Sequence, residues 1–110
     1  MQLLPLEMYA QLPGLYAQEK NQDPTVIYKF VCPWSGSTWL VTEGFEQDGK
    51  FIFFGYVIGD EEGWHYFGLS DLEGIRGPGG LTIERDLQFI PRPFTEAIGQ
   101  CRHDNRNQGR

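Results

Sequence analysis

The run Phe51-Ile52-Phe53-Phe54-Gly55-Tyr56-Val57-Ile58 carries no charged side chain on either face. It is aromatic and β-branched, and the turn signals Asp48-Gly49 and 60–63 bound it. These features predict a strand. With no polar face to turn to water, that strand has to lie centrally, covered on both sides. Gly55 in its middle predicts a bulge or a close approach of a second backbone.

Further strands are expected at 25–31, 38–43, 64–69 and 81–89, each aromatic or β-branched and bounded by Gly, Pro or Asp. In the second of these, strict alternation puts Trp39, Val41 and Glu43 on one face. Residues 4–12 predict a short helix, with Pro5 in the first helical position and Pro13-Gly14 as its stop. Ser70-Asp71-Leu72-Glu73 has the pattern of a capping box, and Gly74 closes the single turn after it. A last helical turn is expected at 94–98. The fold class is therefore α+β: a single small domain over residues 1–98. It has about five mostly antiparallel strands and a short N-terminal helix packed on the sheet. Residues 99–110 are polar and are expected to form a disordered tail.

The segment from Arg76 to Phe89 raises a specific chemical question. The turn Gly77-Pro78-Gly79-Gly80 feeds a strand that alternates Leu81, Ile83, Arg85, Leu87 and Phe89 with Thr82, Glu84, Asp86 and Gln88. Arg85 then falls on the apolar row, where an unpaired guanidinium costs several kcal/mol. Glu43, which shares its predicted face with Trp39 and Val41, is the expected partner within salt-bridge reach. A structural ion pair is one account of Arg85. The other is a polar recognition site formed by Arg76, Glu84, Arg85 and Asp86.

No catalytic constellation is specific. Cys32 and His65 are the only thiol–imidazole pair available outside the tail, and nothing orients them. Cys101-Arg102-His103 offers two metal ligands where a structural zinc needs four. The glycine loop lacks the Lys-Ser/Thr of a phosphate loop. No catalytic residue, metal or cofactor is assigned. The two cysteines show no disulfide framework, which fits a reduced, cytoplasmic setting. There is no signal-peptide pattern and no apolar run long enough for a membrane span.

Charge separates the remaining classes. The 110 residues carry a net charge of -6. Between 43 and 73 there are eight carboxylates, among them Glu43, Glu61, Glu62 and Asp71, against the single cation Lys50. Such a surface repels phosphates, so direct nucleic-acid binding is not expected. It suits solubility, or approach to a basic partner.

Several elements occur together in one order: Leu12-Pro13-Gly14-Leu15-Tyr16, Val41-Thr42-Glu43, Phe53-Phe54-Gly55 and Tyr66-Phe67-Gly68-Leu69-Ser70-Asp71-Leu72-Glu73. Arg76-Gly77-Pro78-Gly79-Gly80-Leu81 and Ile83-Glu84-Arg85-Asp86-Leu87 follow. In this the chain resembles the family catalogued as domain of unknown function 2958, over residues 3–94. Gly14 stands where the family commonly has a second proline. The resemblance implies a single-domain accessory protein of bacteria, plasmids, integrative elements or phages, and no catalytic residue carries over from it.

Three functions are therefore weighed. The first is a non-catalytic module that binds another protein, in its most concrete form an inhibitor of a host defence of anti-CRISPR or anti-restriction type. In that form Glu61, Glu62 and Asp71 would face a basic nucleic-acid-handling complex. The second is a small-ligand binder or small enzyme using a cleft at Arg76, Glu84, Arg85 and Asp86. The third is a nucleic-acid binder using Trp34, Trp39, Trp64 and the Arg-rich tail.

Overall fold

The computed structural model describes residues 3–108. The strands are β1 (Thr25–Val26), β2 (Tyr28–Val31), β3 (Thr38–Gln47), β4 (Lys50–Ile58), β5 (Gly63–Gly68), β6 (Glu84–Arg85) and β7 (Arg92–Pro93). Two α-helices, α1 (Leu69–Gly74) and α2 (Phe94–Gln108), and 3-10 turns at Leu6–Gln11 and Pro78–Gly80 complete the chain. Five strands form one antiparallel sheet in the order β5-β4-β3-β2-β6, and β1 pairs with β7 beside it. The α+β architecture read from the sequence is the one observed.

β2 to β5 form a meander. The β3–β4 hairpin turns on Asp48 and Gly49, with φ of 53° and 78°. Two successive positive φ values match the right-handed strand twist, and Asp-Gly accepts them at low cost. The uncharged run lies in β4, flanked by β3 and β5. Contrary to the expectation of cover on both sides, its second face is covered only in part, and Phe54 lines an open cleft.

The first face carries Tyr28, Phe30, Val41 and Phe53, packed under Leu3, Leu4 and Leu12 and against Leu69, Leu72 and Ile83. The second carries Leu40, Tyr56 and Ile58, packed against Val26, Ala97 and Cys101. Phe30 and Phe53 are fully buried. Truncating either to alanine would cost about 3–5 kcal/mol.

β3 contains one residue more than its partner. Val41 pairs with Gly55, and Glu43 pairs with the next residue, Phe54, so Thr42 is the bulge. Its hydroxyl donates to the Phe54 carbonyl at 3.2 Å. A bulge shifts side-chain alternation by one. Trp39 and Val41 stay on the first face, while Glu43 moves to the second with Phe54. Gly55 lies opposite the distortion. A Cβ there would sit 2.2 Å from the Leu40 carbonyl oxygen, which is the close backbone approach its glycine signals.

Other expectations change. The 81–89 segment is not a strand along its length: Glu84–Arg85 pairs against Val31 and Phe30, and Thr82 makes an isolated bridge with Arg76. The Asp86 N–H bonds the Lys29 carbonyl, and Asp86 then turns the chain by accepting from the N–H groups of Gln88 and Phe89. Leu87 is consequently 77% exposed, and Leu81 is also exposed, while Ile83 is buried. The 4–12 helix is a 3-10 turn with Pro5 as its N-cap. The capping box does not form, because α1 starts at Leu69 and Ser70 lies inside it. Glu73 instead accepts from the Leu3 N–H at 3.1 Å. α2 continues through Gly99 and buries Cys101, so the fold does not stop at residue 98. Residues 109 and 110 of the expected tail lie outside the described residues.

The bulge is open to test through Gly55→Ala. Its Cβ meets backbone, which cannot move aside as a side chain does. We expect a loss of about 3 kcal/mol or more in urea unfolding. Gly14→Ala, with open space at its Cβ, is expected to stay within about 0.5 kcal/mol of wild type. A Gly55→Ala protein as stable as that control would contradict the register described.

Candidate functional site

The second face is only partly covered by α2. Beyond the helix, the exposed half of β4 and β5 meets the loop that follows Leu15. Between them lies a cleft of about 390 Å³. Its walls are aromatic: Tyr16 from the loop, Phe54 from β4, and Trp64 and Tyr66 from β5. Strand register explains the grouping. Phe54 is directly opposite Tyr66, and Tyr56 opposite Trp64, so the four rings share a face. Phe54 stacks on Trp64 at 5.6 Å between centroids and meets Tyr66 at 4.8 Å. Trp64 and Tyr56 continue to Phe94, the first residue of α2. A ladder of rings thus runs from the helix to the cleft.

The floor is polar. Glu43 is 4% exposed, yet it has no salt bridge among the described residues. Its two carboxylate oxygens accept the backbone N–H groups of Tyr16 and Gln18, each at 2.8 Å. Charge-assisted bonds of this kind are about twice as strong as neutral ones. Gln18 extends the brace: its amide donates to the Thr42 and Thr25 carbonyls, and its oxygen accepts the Thr25 N–H. Glu43 therefore fixes the loop that forms one cleft wall. Tyr16 is held at φ 71°, a left-handed conformation that is unfavourable for a bulky side chain. A hydrogen bond with Tyr16, followed by burial, raises the Tyr66 phenol above its ordinary range. Tyr16 and Tyr66 also line a second depression, of about 740 Å³, that reaches Phe45 and Ile52.

The expected Glu43–Arg85 ion pair is absent. The bulge sends Glu43 to the second face, whereas Arg85, opposite Phe30, belongs with the first. Arg85 is half-buried at the sheet edge and donates its Nε to the Leu3 carbonyl at 3.2 Å. Arg76 is turned onto its own loop, donating to the carbonyls of Glu73 and Ile75. Asp86 pairs with Lys29 at 3.5 Å, and Glu84 is exposed. The cavity beside Arg76 measures only about 60 Å³ and is lined by none of Glu84, Arg85 and Asp86. The four groups do not converge.

The glycine loop is a turn, with φ of 65° and 82° at Gly79 and Gly80. Gly77 lies so close under the Trp34 indole that a Cβ would approach within 2.5 Å. Trp34 and Trp39 pack against the first-face core and Trp64 lies on the second face, so the three do not form one stacking platform. His65 alternates away from the cleft and meets the Glu61 carbonyl at 2.7 Å.

The acidic segment is divided among elements. Glu61 is exposed in the β4–β5 turn and Asp71 on α1, while Glu43 is buried in β3. Glu62 accepts from the Tyr56 hydroxyl at 2.7 Å and from Arg102 of α2 at 2.5 Å. It thereby staples the helix to the hairpin. The Tyr56 hydrogen bond, then Arg102, lowers the Glu62 carboxyl below the ordinary carboxylate range.

Alternation alone located the aromatic content but misplaced Glu43. The available signal was Gly55, which marked the bulge without fixing which residue was extra. The chain belongs to the family described as Protein of unknown function (DUF2958), whose model matches residues 3–104. No curated protein and no solved structure matches it.

Two outcomes follow. Glu43→Gln keeps the shape but offers one carbonyl to two N–H donors. It is expected to cost about 1–3 kcal/mol and to speed amide exchange at Tyr16 and Gln18 before that of β4. Because the Glu62 pKa is lowered on folding, its contribution is present above the ordinary carboxylate pKa and is lost as pH falls through the lowered value. The Trp64 indole NMR signal, next to Phe94, should therefore titrate in acid. Glu62→Gln should abolish that titration.

Proposed function

We propose that this protein is a non-catalytic protein-binding module whose contact surface is the uncovered half of the second sheet face. The observation that carries this reading is the exposure of large rings around a formed cleft: Tyr16 is 63%, Trp64 39% and Tyr66 53% exposed. Aromatic residues of this type are enriched in interface cores, because they supply contact area with few rotatable bonds. Two of the three stand on a strand and the third is tied to Glu43, so little ordering cost remains for binding.

The finer reading is a cytoplasmic accessory protein of bacteria or mobile elements that inhibits a host defence of anti-CRISPR or anti-restriction type. It rests on the family resemblance and on the acidic segment. Its carriers are now Glu61 and Asp71, both exposed, since Glu62 is engaged with Tyr56 and Arg102.

The test is affinity capture from bacterial lysate after nuclease treatment, comparing three baits. A stoichiometric partner held by the wild type and by Glu61→Gln/Asp71→Asn, but lost from Trp64→Ala/Tyr66→Ala, is the expected result. Loss with the carboxylate variant instead would favour electrostatic docking. A partner indifferent to Trp64 and Tyr66 would overturn the aromatic surface.

A further inference from the structure

We infer that the cleft between Tyr16, Phe54, Trp64 and Tyr66 is built to take an arginine side chain of the partner protein. This deepens the binding-module reading and rests on it. The argument starts from what lines the cleft. Its charged lining residues are Glu19 and Glu43, and no Lys, Arg or His is among them. Its walls are ring faces, whose negative quadrupole attracts a cation placed over them. A carboxylate floor under aromatic walls thus disfavours an anion on two counts and favours an organic cation on the same two.

Geometry distinguishes guanidinium from ammonium. A carboxylate offers about four acceptor positions, and Glu43 uses one on each oxygen for the N–H groups of Tyr16 and Gln18. One position per oxygen is left. Two parallel N–H groups of a guanidinium match such a pair, while an ammonium is a point donor. The planar guanidinium also stacks on an aromatic face as an ammonium does not. Phe54 and Trp64 are nearly parallel, 13° apart, and both line the cleft. The cation need not displace a salt bridge, because Glu43 has none among the described residues.

The test is a titration followed by NMR of the tryptophan indoles. The probes are the tripeptide Gly-Arg-Gly, blocked at both ends, its citrulline counterpart (isosteric and neutral), and agmatine. Trp34 and Trp39, packed against the opposite face of the sheet, are internal controls. We expect saturable movement of the Trp64 indole by the arginine peptide with Trp34 and Trp39 still. Binding should be roughly tenfold weaker for citrulline, and agmatine, which keeps the guanidinium, should bind no more tightly than the peptide. Glu19→Gln, at an exposed residue outside the Glu43 brace, should weaken the arginine peptide several-fold without unfolding the protein. Equal binding of citrulline, or shifts at Trp34 and Trp39 in place of Trp64, would overturn the inference. Agmatine binding more tightly than the peptide would overturn its assignment to a partner's side chain. A captured partner that depends on Trp64 but tolerates replacement of its own arginines by glutamine would also end the inference, and would leave the binding-module reading intact.

Discussion

A buried carboxylate with no salt bridge among the described residues is stable only if donors are aimed at it. Glu43 meets that requirement with two backbone N–H groups from one loop. The arrangement exists because Thr42 bulges from β3 and sends Glu43 to the face where that loop lies. Were β3 regular, Glu43 would share the apolar face of Val41, and the loop would have no anchor there. The left-handed Tyr16, the pinned Gln18 and one wall of the cleft all depend on this displacement. Bulges often sit beside binding sites, where they redirect one side chain without altering the sheet.

The two faces of the sheet have separate tasks. The first is closed by the N-terminal 3-10 turn, α1 and the segment around Ile83, and holds much of the apolar core. The second is closed for half its length by α2. The Glu62–Arg102–Tyr56 cluster holds that helix where the ring ladder begins. Surface ion pairs contribute little alone, so the cluster orients the helix more than it stabilises the domain. What remains uncovered is aromatic, rigid and lined by carboxylates, the combination from which the binding proposal follows.

Much of this fold was legible in the sequence. The uncharged run of β4, the Asp48-Gly49 hairpin and the strand character of β2, β3 and β5 follow from local composition. Gly55 foretold a close backbone approach. What failed was alternation carried across an irregularity. Glu43 was placed with Val41 because nothing local says that Thr42 is the extra residue. Arg85 was placed on an apolar row because 81–89 alternates like a strand. In the fold, Asp86 ends the pairing after two residues. The false ion pair came from the first error alone: Arg85 does stand on the first face, opposite Phe30, while Glu43 has left it. The true site was less visible still. Tyr16, Phe54, Trp64 and Tyr66 come from a loop and two strands, and only the pairing register brings them together.

The central claim is the face on which Glu43 stands. The most direct measurement is the set of nuclear Overhauser contacts from its side-chain γ-protons in an isotope-labelled sample. The bulge predicts contacts to the ring of Phe54 and to the backbone amides of Tyr16 and Gln18. Contacts to the Val41 side-chain methyls and to the Phe53 ring, on the opposite face, would mean that β3 runs without a bulge. The brace, the cleft and the proposals built on them would then fall together.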